Sequence, residues 1–286
     1  MTSARMSTLA HLRGHIERIE TTGAAAPDRI ALGHAEADAG LHGGLAVGAV
    51  HEVFAEGHQS AAATGFIAGL SARVTARRPL VWVRQDFCDL EAGTLSMSGL
   101  SELGLDPRCL VTVRASDVES ALRTTADALA CDALGAVVLE VWGQARQFDL
   151  VASRKLTLAA QASGVTGLLL RISAAPEPST AETRWIVRAA HSPPPSQRGA
   201  LSPAAALSPA AALLPAAALL PAAAWGSPCF DAELARNRHG PTGRWIMEWK
   251  CDECLFSEAA DPQPLAATPA HRPHQAAAID QRRRAG

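Results

Sequence analysis

The sequence predicts an α/β fold, a mostly parallel sheet with helices on both faces, followed by a low-complexity insertion and a C-terminal β-hairpin. Two observations carry the sheet. Short apolar runs suited to buried strands recur between residues 49 and 171, and segments with helical spacing of apolar residues separate them. The strand-to-strand interval of roughly 25 to 30 residues leaves room for the crossovers that parallel strands require. A third observation, two alternating runs around a turn-rich centre near residue 240, predicts the hairpin.

Residues 1–22 form the first unit. Leu9, Leu12, Ile16 and Ile19 fall at three- and four-residue intervals, which predicts a short amphipathic helix able to dock on another surface. Residues 23–190 form the α/β core. A Gly/Ala-rich stretch from Gly23 to Gly48 precedes the first strand, Ala49-Val-His-Glu-Val-Phe54, which runs into the small-residue segment Ala55 to Ala63. Phe66, Ile67, Leu70 and Val74 then predict a helix over 64–77 with one buried face. Leu80-Val-Trp-Val83 reads as a strand buried on both faces, Leu100 to Leu105 as part of a helix, and Leu110-Val-Thr-Val113 as the next strand. Asp117 or Ser116 caps a helix through Ala130, and Gly135 to Val141 supplies another apolar strand. The helix from Leu150 to Ser163 ends at Gly164, the strand Gly167 to Arg171 follows, and Trp185-Ile-Val187 adds one more.

The third unit, 191–228, contains LSPAAA, LSPAAA, LLPAAA and LLPAAA in succession. A proline every sixth residue removes backbone donors and opposes a membrane-spanning helix, so the repeat reads as a loosely extended insertion between two strands. Residues 229–250 give the hairpin, from Phe230 to Arg236 and from Arg244 to Trp249. Residues 251–286, Ala/Pro-rich and ending in Arg282-Arg-Arg284, read as a disordered tail.

Composition excludes some functions. The 286 residues carry a net charge of −2, which argues against a strong electrostatic footprint on nucleic acid even though Arg73, Arg77, Arg78, Arg84, Arg146 and Arg154 with Lys155 could line one rim. Six scattered cysteines and an N-terminus interrupted by charges suggest a reduced, cytoplasmic protein. Cys251-Asp-Glu-Cys254 is the single CxxC. His271 and His274 lie beyond it without the spacing of a second ligand pair, so incidental thiols are expected there and no metal.

The loop after the first strand stands where a nucleotide-binding α/β domain carries its phosphate loop. Such a loop needs glycine amides around the phosphates, a Lys for the β/γ oxygens and a hydroxyl for magnesium. Ala55-Glu56-Gly57-His58-Gln59-Ser60-Ala61-Ala62 offers no Lys, and Glu56 adds a negative charge, leaving Ser60 at the following helix as a weak anion contact.

Leu80-Val-Trp-Val-Arg-Gln-Asp86, Leu103-Gly-Leu-Asp-Pro107, Ala136-Val-Val-Leu-Glu140, Ser153-Arg-Lys-Leu156, Ala162 to Arg171 and the ending from Glu233 to Trp249 occur in an order that resembles the ImuA family, RecA-like proteins of bacterial error-prone translesion synthesis. The resemblance covers about residues 8 to 190 and 225 to 250 and implies a RecA-like core. It places Ala61 where RecA-type ATPases keep the phosphate-binding Lys and Ala62 where they keep the magnesium-binding hydroxyl, so both functions are lost and no cofactor is expected. It places Asp86 near a catalytic carboxylate, Glu140 at the acidic end of a Walker-B-like strand, and Arg171 at a polar sensor position. The implied role is a non-catalytic adaptor in SOS mutagenesis that contacts an ImuB-like inactive polymerase, an error-prone polymerase alpha subunit and RecA, touches DNA weakly or indirectly, and uses the helix at Leu9 to Ile19 for docking. The alternatives are a degenerate ATPase using Asp86 or Glu140, and a cell-division inhibitor of the SulA type.

Overall fold

The computed structural model describes residues 28–75, 77–192 and 226–259. The predicted helix with Leu9, Leu12, Ile16 and Ile19, the hexapeptide repeats, His271, His274 and Arg282 to Arg284 lie outside the described residues.

One nine-stranded sheet organises the chain. Its strands are β3 (Val50–Ala55), β4 (Leu80–Gln85), β5 (Leu110–Ala115), β6 (Ala136–Trp142), β7 (Thr166–Ile172), β8 (Thr183–Ala189), β9 (Cys229–Asn237), β10 (Gly243–Lys250) and β11 (Leu255–Glu258). A separate two-stranded ribbon pairs β1 (Arg29–Ile30) with β2 (Leu45–Ala46). The order across the large sheet is β11-β10-β9-β8-β3-β7-β6-β4-β5. Every pairing from β8 to β5 is parallel, and every pairing from β8 to β11 is antiparallel.

The helices are α1 (Ala35–Gly40), α2 (Ser60–Thr75), α3 (Asp86–Ala92), α4 (Met97–Glu102), α5 (Val118–Leu129) and α6 (Leu150–Ser163). Strand alternation sends Val53, Trp82, Val138, Leu170 and Trp185 to the face under α2, and Val50, Val83, Val137, Leu139 and Leu169 to the face under α5 and α6. Burial on both faces explains why β3, β6 and β7 read as continuous apolar runs. Asp117 accepts from the Ser120 amide at 2.8 Å at the start of α5, and Gly164 ends α6 in the left-handed conformation, φ 76°.

The centre of the α2 face is aromatic. Phe66 meets Phe256, Trp185 and Phe230 with ring centroids 5.2, 5.6 and 5.6 Å apart. Such pairs contribute roughly 0.5–1.5 kcal/mol each beyond burial. Gly65 and Gly69 make this possible, because they open one stripe of α2 to the rings of Phe230, Trp249 and Phe256.

Several expectations shift. The small-residue segment after β3 is a single 3-10 turn at Gly57–Gln59, and α2 starts at Ser60 rather than 64. The helix expected over 100–105 is α4, which starts three residues earlier at Met97 and ends at Glu102, and a further helix, α3, occupies 86–92. The Gly/Ala-rich 23–48 stretch, to which periodicity assigns nothing, contains β1, α1 and β2. These are too short for periodicity to register, yet Leu32, Leu41 and Leu45 are fully buried under the sheet. Residues 251–259, expected to be tail, belong to the fold: β11 pairs with β10 from Met247↔Glu258 to Lys250↔Leu255, and Phe256 is part of the core. The insertion leaves and rejoins the sheet at adjacent antiparallel strands, with the Ala190 amide donating to the Cys229 carbonyl at 3.0 Å, so the sheet closes beneath its two ends.

Candidate functional site

Ligands on open α/β sheets gather at the carboxyl ends of the parallel strands, and the predicted site residues lie there. The geometry at Gly57, Ser60, Ala61 and Ala62 is that of a packed tie. The Gln59 amide donates to the Glu56 carbonyl at 2.8 Å and the Ser60 amide to the Gly57 carbonyl, so two donors that would face a phosphate are already used. A Cβ at Gly57 would stand 2.8 Å from Ser173 Oγ and 3.1 Å from the Trp142 ring, which shows how closely β6 and β7 press on the turn. The Gln59 side chain accepts from the Ala189 amide at 2.8 Å and anchors the turn to the end of β8. Glu56 is exposed, with His58 Nδ1 3.5 Å from its carboxylate. The Gln59 and Ser60 amides are therefore engaged within the turn, and Gly57 is packed against β6 and the end of β7.

Glu140 is fully buried on the α2 face of β6. Its Oε2 accepts from Trp82 Nε1 at 3.0 Å and from Arg84 Nε at 2.9 Å, while Oε1 has no protein partner among the described residues. The register that pairs Arg84 with Glu140 across β4 and β6 produces this contact. Arg84 also pairs with Asp89, donates to the Gly93 carbonyl at 2.7 Å and to the Cys88 carbonyl at 3.3 Å. Burial pushes the Glu140 carboxyl up, against the pull of Arg84. Next to it, burial raises the Cys88 thiol to about 12, which leaves it inert.

A cavity of about 320 Å³ opens between the first turns of α2 and the α3–α4 connection. Ser60, Thr64, Thr94 and Ser96 supply hydroxyls, and Leu95, Leu100 and Leu103 supply apolar wall. Arg84 lines it, and Glu140, bound to Arg84 Nε, is not among the lining residues. This arrangement can present hydrogen-bond donors to a small polar group.

The remaining sequence candidates diverge. Asp86 opens α3 and accepts from Arg114 Nε at 2.8 Å beside the edge strand β5, where both side chains are largely exposed. Arg171 points to the opposite face of the sheet from Glu140. There its guanidinium lies 3.8 Å from the Phe148 ring centroid, with Nε and Nη2 lacking protein partners among the described residues, and burial lowers it to about 10. The structure thus brings Gly57, Ser60, Ala61 and Arg84 to one end of the sheet and separates Asp86, Glu140 and Arg171 by ion pairing, burial and strand face.

The arginine rim is also divided. Arg84 is buried, Arg73 donates to the Ala31 and Cys254 carbonyls, and Arg78 donates to the Asp132 carbonyl, so three of the set brace the fold. Sequence reasoning misses the pair of Glu52 with Arg184, whose Nε donates at 2.8 Å, and the structural role of Arg84. The available signal is a charged residue of each sign inside strands that are otherwise apolar, which burial forces to find one another.

Among the described residues no three His, Cys, Asp or Glu side chains could hold a metal ion, and no helix is long and apolar enough to cross a membrane. In comparisons with known proteins, no protein-family model matches the chain, and no curated protein matches it with significance.

Proposed function

We propose that this chain is a RecA-like core without a working phosphate loop, acting as a non-catalytic, cytoplasmic adaptor of an error-prone translesion synthesis complex. Its partners in this reading are an ImuB-like inactive polymerase, an error-prone polymerase alpha subunit and RecA. The mixed sheet with helices on both faces is consistent with such a core. The observation that supports a non-catalytic reading is the packed turn at Gly57–Gln59, where the Gln59 and Ser60 amides are engaged in internal bonds. An adaptor also needs free surface. Among the described residues the edge strand β5 has a strand neighbour on one side only, with Val111 53% exposed and Leu90 of the neighbouring α3 80% exposed. Edge backbone flanked by apolar side chains supports strand addition by a partner.

The test is capture of the three purified partners by the full chain, by a chain lacking residues 1–22, and by a V111D/L90D variant, alongside calorimetric titration with ATP and magnesium. Loss of one or more captures with no heat of nucleotide binding is the expected result. Submillimolar ATP affinity that Glu140→Gln abolishes would replace the adaptor by the degenerate ATPase, and absence of every capture by the full chain would remove the adaptor altogether.

A further inference from the structure

The CxxC segment is used neither by the site nor by the adaptor reading, yet the fold holds it in a specific geometry. Residues 251–254 form the four-residue turn between β10 and β11, closed by the antiparallel pair Lys250↔Leu255. Cys251 and Cys254 are therefore the first and last residues of one tight turn, for which Cα separations stay under about 7 Å, while disulfides span about 4.4–6.8 Å. Cys254 Sγ lies 3.4 Å from the Cys251 carbonyl oxygen, so its thiol is turned back over the partner residue. Both thiols are free and half-buried against the core. The turn is held from outside as well, since Arg73 Nη1 donates to the Cys254 carbonyl at 3.2 Å.

We propose that Cys251 and Cys254 form a reversible dithiol–disulfide pair, a thiol-exchange site that the folded turn pre-organises. With a small-molecule disulfide of the glutathione type as oxidant, one cysteine thiolate attacks a sulfur of that disulfide and forms a mixed disulfide, and the first small thiolate leaves. The second cysteine thiolate then attacks the protein sulfur of the mixed disulfide and expels the second small thiolate. Two electrons pass to the oxidant, and the two protons of the cysteine thiols end on the two small thiols released. Burial raises the Cys88 and Cys229 thiols to about 12 and about 11, so those two cysteines do not compete at neutral pH, and burial also raises the Cys251 thiol, which slows its exchange without changing the geometry that closes the pair.

The pair would report to the cavity. A Cβ on Gly104, φ +89°, would stand 2.6 Å from Cys254 Sγ, which shows how directly the thiol abuts the segment after α4. The Leu103 carbonyl accepts from Trp249 Nε1 at 3.0 Å, and Leu103 is cavity wall. Closing the disulfide ties the turn that contacts this segment.

The experiment equilibrates the full chain, folded and in urea, with mixtures of glutathione and glutathione disulfide, quenches with acid and alkylates. Cleavage after Lys250 releases both cysteines in one peptide, whose mass reads the dithiol, the disulfide and glutathione adducts separately. The expected result is a disulfide whose equilibrium constant is at least about tenfold larger in the folded chain than in urea, or about 30 mV in potential, with slower amide exchange over residues 100–106 in the oxidised form. A constant no larger when folded, a peptide that stays doubly alkylated, or single glutathione adducts without the internal disulfide would overturn it.

Discussion

His51 gives the most direct test of the packing beneath the site. It lies fully buried in β3, the strand that delivers the Gly57–Gln59 turn. Its Nε2 is 2.9 Å from the Ala46 carbonyl and its Nδ1 2.8 Å from Thr183 Oγ1, which also accepts from Trp185 Nε1 at 3.1 Å. The neutral ring satisfies this set, with Nε2–H donating to Ala46 and Nδ1 accepting the Thr183 hydroxyl, whereas a protonated ring would take up the second lone pair of Thr183 Oγ1 and release its hydroxyl hydrogen from this contact. Burial lowers its pKa to about 4 from the ordinary 6.5, the Ala46 contact opposes this, and the nearby Arg29 charge lowers it further. Between those two values the unfolded chain binds more protons than the folded one. Stability is therefore fully present above pH 6.5 and is lost as the pH falls toward 4. The histidine contribution amounts to about 2 kcal/mol between about pH 7.5 and about pH 5, and to about 3 kcal/mol once the pH is below 4. Other carboxylates also titrate there, so the quantity to measure is a difference. Urea unfolding of the wild type and of His51→Gln across this range should give curves that converge toward acid, the variant lacking the histidine share of the slope. Curves that run parallel within about 0.5 kcal/mol would refute a neutral, fully desolvated His51.

Three further outcomes follow from particular contacts. Restoring the missing phosphate-loop chemistry with Ala61→Lys and Ala62→Thr should not create ATP binding in calorimetry, because the Gln59 and Ser60 amides stay engaged and Gly57 stays pressed on Trp142; measurable affinity would show that the turn opens readily. Glu140→Ala should lower unfolding stability by about 1–3 kcal/mol by leaving Arg84 Nε and the Trp82 indole without their acceptor, while Asp89 still pairs with the guanidinium; a chemical-denaturation loss under about 0.5 kcal/mol would mean the cluster rearranges freely. Gly69→Ala gains about 1 kcal/mol of helix propensity, but its Cβ would come 2.8 Å from Phe256 Cζ and 3.1 Å from the Trp249 ring. Overpacking of about 1–3 kcal/mol should prevail and lower the thermal midpoint, and a midpoint at or above wild type would show that β10 and β11 yield.

Much of the fold is legible from residue order. Continuous apolar strands separated by helical spacing are visible because both faces of β3, β6 and β7 are buried, and the boundaries of α6, with Asp149 and Gly164 at its ends, follow from capping chemistry that is local. The hairpin of β9 and β10 is readable for the same reason, since turn and alternation lie side by side in the sequence. The last strand is different. Leu255–Glu258 is four residues in a stretch that reads as tail, and only Phe256 packing against Phe66 and Trp249 makes it part of the sheet.

That the loop after β3 carries no Lys and runs into Ala61 and Ala62 can be read from the residues alone, because charge and donor chemistry reside in side-chain identity. What becomes of the vacated chemistry is a question of three dimensions. That Glu140 faces Arg84 and Trp82 instead of solvent depends on the β4–β6 register, and that Arg171 leaves by the other face depends on its parity in β7. Composition and periodicity, which act over a few residues, determine the strands and helices. Pairings between residues more than fifty positions apart belong to the tertiary structure, because burying a charge obliges it to find a partner wherever the chain topology brings one within reach.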